Sequence, residues 1–163
     1  MTALQQRVLL APDDGSLGPL LRASDDRLAP GTGYGRHEHR AVDVVAVVLS
    51  GSLRHRWGDG AQLGPGDVAV LRAGGGLEHD EIAGDDGARV LQCYLRAART
   101  DLPAAHEVHR QPSGWIDLGR NDARVWVGAP TGDLPAGTLV PLDGSDLRVV
   151  WELAAERPEW ARV

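Results

Sequence analysis

Gly31-Thr32-Gly33-Tyr34-Gly35-Arg36-His37-Glu38-His39-Arg40 and, further along, Pro65-Gly66-Asp67-Val68 followed by Ala73-Gly74-Gly75-Gly76-Leu77-Glu78-His79-Asp80-Glu81 decide how this chain is read. In a strand, residues i and i+2 share a face, so His37 with His39, and His79 with Glu81, can each aim two donors one way. A helix splays the same spacing apart. Two such strands side by side would offer imidazoles from His37, His39 and His79 and the Glu81 carboxylate to one point. That donor set suits a divalent transition metal with positions left open for water or substrate. Either pair alone says little, because short His-x-His and His-x-Glu patterns arise by chance on solvated strands. The weight comes from finding both around an apolar strand, a Pro-Gly-Asp turn and a glycine run.

Composition narrows the rest. The 163 residues carry 17 Lys and Arg against 23 Asp and Glu, a formal charge of −6, with a pI near 5.4. Phosphate backbones and anionic lipids reward clustered cations, so direct nucleic-acid binding and a membrane partner are not expected. The single cysteine, Cys93, allows no intramolecular disulfide and fits a reducing compartment. The longest apolar run, residues 44–49, is far too short to cross a bilayer, and no basic start with an apolar core opens the chain. The expectation is a soluble cytoplasmic protein of one domain, or one domain with an appendage. With no Phe, the packing falls to Leu, Val and five Trp.

Along the chain, residues 8–11 and 17–21 flank the turn-forming Asp13-Asp14-Gly15-Ser16 and read as edge strands. Ser24-Asp25-Asp26-Arg27 reads as the lead into the glycine-rich approach, where Gly31, Gly33 and Gly35 permit tight backbone geometry. No Gly-Lys-Ser/Thr end and no helix start follow those glycines, which sets aside phosphate-loop readings. Residues 42–49 read as a central strand buried on both faces. Alternation counted from His37 puts 39, 41 and 43 on the ligand face. Asp43 is then a spare ligand, an acceptor for a ligating histidine, or an inward carboxylate satisfied by backbone donors. Residues 52–57 form the next strand, turned by Gly58-Asp59-Gly60. His55 on it is either a substrate contact or a partly exposed strand histidine. Gly74-Gly75-Gly76 lets the backbone swing His79 and Glu81 inward. Residues 84–87 read as an acidic turn and 88–95 as a strand in which Cys93 is an inert apolar residue. Residues 97–114 read as a linker or short helix. His106 and His109 stand there at i, i+3, a weak metal pair with no companion cysteine or carboxylate pattern. Residues 115–118, 124–127, 138–140 and 147–153 alternate with turns and read as β again, with Trp151 and Trp160 as apolar surface.

At these residues the chain resembles the cupin superfamily and, within it, the pirin family. The likeness runs from about residue 25 to 95 and covers Gly35-x-His37-x-His39-Arg40, the Val48-Leu49-Ser50-Gly51 strand end, Pro65-Gly66-Asp67-Val68 and the Ala73-Gly74-x-Gly76-x-x-His79-x-Glu81 exit. It implies an all-β fold, a cupin jelly-roll β-barrel, with one iron-type site whose ligands fall on His37, His39, His79 and Glu81. Three departures stand out: Glu38 replaces a common proline, Asp43 replaces a glutamate, and the chain is too short for the family's two full barrels. Leu134-Pro135-Ala136-Gly137-Thr138 is similar to the opening of a cupin strand, but Leu142 and Asp143 follow where histidines would stand. Residues 1–105 are therefore expected to form the barrel with the metal site. Residues 106–163 are expected to form a truncated, metal-free β segment packed on it or used as a homodimer contact.

The resemblance implies an oxidoreductase: a metal-dependent dioxygenase of the quercetin 2,3-dioxygenase type, using O2 on an enolic or flavonol-like small molecule. Fe(II) is the first metal expected, with Ni, Mn, Co, Cu or Zn as alternatives. Glu81 would shift between ligand and catalytic base. Tyr34, Asp43 and His55 are the candidates for contacts behind the ligands or to substrate. Two other functions fit the same residues. A cyclase or isomerase of secondary metabolism would use the metal only to polarise a carbonyl. A non-catalytic redox-sensing regulator would be marked by a lost ligand or an exposed apolar patch, and all the ligand positions are kept.

Overall fold

The computed structural model describes residues 3–12, 14–57, 60–98, 101–130 and 132–154. Among them every regular element is a strand: β1 (Leu4–Leu10), β2 (Leu20–Leu28), β3 (His37–His39), β4 (Val42–Arg56), β5 (Ala61–Leu63), β6 (Val68–Arg72), β7 (Leu77–Arg96), β8 (Ala105–His109), β9 (Gly114–Ile116), β10 (Ala123–Gly128), β11 (Thr138–Leu139) and β12 (Arg148–Leu153). They build two antiparallel sheets of cupin type. The larger runs β1-β2-β7-β4-β6-β8, with β3 added on β7 and β5 on β4, and the smaller runs β11-β12-β10-β9.

The two longest strands, β4 and β7, sit side by side at the centre of the larger sheet and carry residues for two different faces. Val45, Val47, Leu91 and Cys93 point to one face. There they meet Ile116, Val125, Val127, Val149 and Trp151 of the smaller sheet in one buried cluster. Ala46, Val48 and Val90 point to the other face, toward Leu28, Leu53 and Leu63. A strand covered on both sides must be apolar at consecutive positions, which is why residues 44–48 are buried without a break.

Register shifts between Val48 and Ser50 and between Gly51 and Leu53 change which face the odd residues serve. Before the shift odd residues face the smaller sheet; after it Leu53 and His55 share the face of Ala46 and Val48. Gly51 makes this possible, since its φ is 73° and a Cβ there would come within 2.1 Å of the Gly87 carbonyl oxygen.

Several sequence expectations change here. Ser24-Asp25-Asp26-Arg27 is not a lead-in but the second half of β2, whose two carboxylates each receive a side-chain donor. Asp25 receives Arg89 at 2.7 and 3.0 Å, and Asp26 receives the Tyr34 hydroxyl at 2.7 Å. The acidic turn expected at 84–87 is carried within β7 as an irregularity between its two pairings with β4. The expected linker or helix holds strand β8, which pairs with β6, so the boundary expected after residue 105 falls inside a strand. Gly58 and Asp59 of the expected hairpin turn, and Trp160, lie outside the described residues. Among the described residues no helix is long and apolar enough to cross a membrane.

Candidate metal centre

β3 is short because it has one neighbour, β7, against which it pairs His37 with His79, Glu38 with Glu78 and His39 with Leu77. Alternation then turns His37, His39 and His79 the same way, while Arg36 and Glu78, 3.3 Å apart, pair on the opposite face. The three imidazoles converge. His37 Nε2 lies 3.0 Å from His39 Nε2 and 2.8 Å from His79 Nε2. His37 Nδ1 lies 2.7 Å from the Gly35 carbonyl oxygen. A carbonyl can only accept, so the proton is assigned to Nδ1 and the Nε2 lone pair faces inward. Three imidazole nitrogens crowded together cannot all satisfy one another with hydrogen bonds. The two spacings from His37, about 3 Å each, are what neighbouring ligands at roughly 2.1 Å from one ion would show. The donor set fits a divalent transition metal.

Burial favours neutral imidazoles. His79 is buried, and desolvation, partly opposed by Glu81, brings its pKa down to about 4. Desolvation and the neighbouring His37 also hold His39 below the ordinary imidazole value. Neutral rings are the ligand form, so neither residue need lose a proton at neutral pH to bind a cation.

Glu81 is set slightly apart. The donor atoms of His37, His39 and His79 lie within 4.8 Å of one another, and a second such group joins His79 to His55 and Glu81. Gln92 Nε2 donates to Glu81 Oε2 at 2.9 Å, and His55 Nε2 lies 2.9 Å from Glu81 Oε1. That last contact is close enough for charge attraction but lies off hydrogen-bond geometry, which leaves both atoms without a conventional partner. Complete burial would raise the Glu81 carboxyl, but His55 beside it, with His79 and His37 beyond, more than offsets this and holds it below its usual value.

The remaining candidates divide. His55, expected to be half exposed or a substrate contact, is 2% exposed and lies against Glu81, because the register shift at Gly51 turns it inward. Tyr34 donates to Asp26 and sits 6.4 Å, ring to ring, from His37; burial and then Asp26 push its hydroxyl pKa up. Asp43 is not at the centre. Ala41 has a φ of 55°, so alternation does not carry through from His39, and Asp43 serves the other face, where Arg120 donates to it at 3.0 Å. His106 and His109, taken as a helical pair, lie on strand β8. His106 stacks on His55 with 5.2 Å between ring centroids, while His109 Nε2 lies 3.2 Å from Glu107 Oε2. Cys93 is buried, which pushes its thiol up to about 12.

Sequence reasoning missed Gln92 and Asp26. Gln92 had a signal: it is the lone amide in the apolar run Val90-Leu91-Gln92-Cys93, and a buried amide needs partners. Asp26 had none, because nothing near it in sequence announces that Tyr34 would cover it. Beside the imidazoles lies a small apolar group of Val44, Leu71 and Leu77 with Tyr94 and Trp57 against it. Tyr94 tilts over His39 at 5.9 Å. A surface depression of about 600 Å³ is lined by Arg36, Arg54, Arg56 and Glu78, with His55 and Trp57 also on its wall.

An all-β fold of this topology, with converging histidines and a buried glutamate at one end of its larger sheet, is of cupin type. The chain belongs to the pirin family, whose profile, named Pirin, matches residues 12–95. It is 38% identical over 87 residues to the "putative quercetin 2,3-dioxygenase" of Zymomonas mobilis, covering 52% of this chain and 37% of that protein. It is 33% identical over 87 residues to a pirin-like protein of Caulobacter vibrioides, covering 52% of this chain and 38% of that one. The chain thus spans about two fifths of the length of these curated relatives. Among solved structures, the fold is similar to the bacterial pirin YhhW of Escherichia coli in complex with nickel(II). The TM-score is 0.71 at 19% identity, covering 96% of this chain and 85% of that one. A quercetin 2,3-dioxygenase of Acinetobacter baumannii shares the fold at a TM-score of 0.56 and 20% identity, covering 75% of this chain and 49% of that one.

Proposed function

We propose that this protein is a metal-dependent dioxygenase of the quercetin 2,3-dioxygenase type, acting on enolic or flavonol-like aromatic substrates. The observation that carries the reading is the convergence of His39 and His79 on His37, at 3.0 and 2.8 Å between Nε2 atoms, with the Glu81 carboxylate buried close by. These imidazoles would hold one divalent transition metal, Fe(II) first, with Glu81 as a fourth ligand or as base. Bound there, the metal would supply Lewis acidity toward a substrate oxygen and access to O2.

The chain's own residues do the rest. Gly35 fixes the His37 tautomer through its carbonyl oxygen. Tyr94, Leu77 and Val44 line the side of the imidazoles with apolar surface suited to a flat ring. Glu81 Oε1, which faces the off-angle His55 nitrogen at 2.9 Å and makes no regular hydrogen bond among the described residues, is the atom that would take the hydroxyl proton of the substrate. A carboxyl held below its usual pKa is ionised and ready to do so at neutral pH.

The test is an oxygen electrode with purified, metal-loaded protein and a panel of flavonols and simpler enols. The expected result is O2 uptake in step with substrate loss, abolished by His79→Ala. Substrate conversion without O2 uptake would replace this reading with Lewis-acid isomerisation. Metal binding with no turnover of any enol would leave a regulatory metal protein.

A further inference from the structure

We infer that His55 is a positioning residue that holds Glu81 back from the three converging imidazoles, so that this contact decides whether the carboxylate joins the ligand set. The inference rests on the metal-centre reading above.

The geometry divides the site into two groups that share His79. The donor atoms of His37, His39 and His79 gather in one group, and Glu81 gathers with His55 and His79 in the other. Each Glu81 oxygen already has a protein nitrogen against it: Gln92 Nε2 donates to Oε2 at 2.9 Å, and His55 Nε2 lies 2.9 Å from Oε1. His55 and Glu81 are 2% and 3% exposed, so water does not compete freely for either. A buried carboxylate in this setting must divide its oxygens between these nitrogens and any cation at the imidazoles.

His55 is also braced. The register shift at Gly51 turns it inward, and His106 from β8 stacks on its far side at 5.2 Å and 20° between planes. Trp57 meets His106 edge-on at 6.2 Å. The ring cannot simply follow Glu81 if the carboxylate moves. Two segments far apart in sequence, residues 51–57 and strand β8, therefore fix one imidazole whose inner nitrogen faces the Glu81 carboxylate. That arrangement suits a group that orients a carboxylate; a contact that supports a bound ligand loses metal affinity when removed, by about 10- to 100-fold, whereas one that holds the carboxylate off the ion should have the opposite sign.

The experiment titrates metal-free full-length protein with Co(II), following both the dissociation constant and the visible d–d absorption, whose intensity falls as coordination number rises. His55→Phe keeps a ring to stack on His106 but has no N–H. It should tighten Co(II) binding about tenfold and weaken the visible band, because Glu81 is released onto the ion. His55→Gln, which can donate from a similar reach, should stay within about threefold of wild type. Gln92→Leu frees the other oxygen and should move both readouts in the same direction; if His55→Phe fails to fold, Gln92→Leu decides. Unchanged or looser binding with an unchanged band in the folded variant would overturn the inference and leave the metal-centre reading standing. No saturable Co(II) binding by wild type or variant would overturn both.

Discussion

The two faces of the β4-β7 pair share the same strands and differ in nearly everything else. On one face Val45, Val47, Leu91 and Cys93 meet the smaller sheet and Trp151 in an apolar cluster. On the other, a few residues further along the same strands, His55, His79, Glu81 and Gln92 are equally buried but polar. There Ser24 Oγ, Asp26 Oδ1, Gln92 Oε1 and Glu81 Oε1 have no conventional protein partner. A dry face gains by exclusion of water, and its members are interchangeable in kind. A buried polar face costs free energy at every unmet atom, and is retained where those atoms act on something else.

The largest effect should come from removing the dry face's partner. Ending the chain near residue 100 strips Ile116, Val125, Val127, Val149 and Trp151 from the shared cluster. At roughly 1.5–3 kcal/mol per buried side chain, the loss is comparable with the whole stability of about 5–15 kcal/mol. We expect residues 106–163 to be needed for the larger sheet to fold, and the shortened chain to aggregate or melt far earlier in calorimetry. A soluble shortened chain of unchanged stability would show that the two sheets are independent.

A single residue can test the same junction. Arg120, 2% exposed at its side chain, donates to Asp43 at 3.0 Å and is held by Asp122 at 2.6 and 3.0 Å. Arg120→Met leaves Asp43 buried and unpaired, and should cost about 3–5 kcal/mol in urea unfolding. Metal affinity should stay near wild type, since Asp43 lies on the dry side.

On the polar face, Glu81→Gln keeps volume and an oxygen donor but cannot take a proton at neutral pH. Turnover per bound metal should fall by roughly a hundredfold to ten-thousandfold, with far less change in metal content. Unchanged turnover per metal would make Glu81 a ligand only.

The smallest effect concerns Asp26. Burial raises its carboxyl above the ordinary 3.8, against the lowering from Tyr34, Gln6 and Ser24. The folded state therefore holds this proton more tightly than the unfolded one, and its contribution to stability falls as pH rises from 3.8 through the folded value. Asp26→Asn should raise the melting temperature at pH 7 relative to wild type and shrink that advantage below pH 4. An advantage of equal size at both pH values would show that Asp26 is not buried at this cost.

The all-strand fold and the approach of His37, His39 and His79 to one another are legible because each rests on a local rule: alternation in a strand, a Pro-Gly-Asp turn, apolar runs. What was not legible depended on breaks in those rules. Asp43 falls with the histidines only if alternation carries through Ala41, whose positive φ resets it. The inward turn of His55 depends on the shift at Gly51, which has no signature beyond a glycine. Strand β8 depends on pairing with β6 and on His106 meeting His55, 51 residues away in sequence.

The most direct test of the central claim is metal analysis of the full-length protein purified without added metal, beside His79→Ala, followed by a structure of the metal-bound form. The account predicts one transition-metal ion per chain in wild type, held by His37, His39 and His79, and below about a tenth of that in the variant. Full metal content in His79→Ala, or an ion from which any of those histidines is turned away, would contradict it.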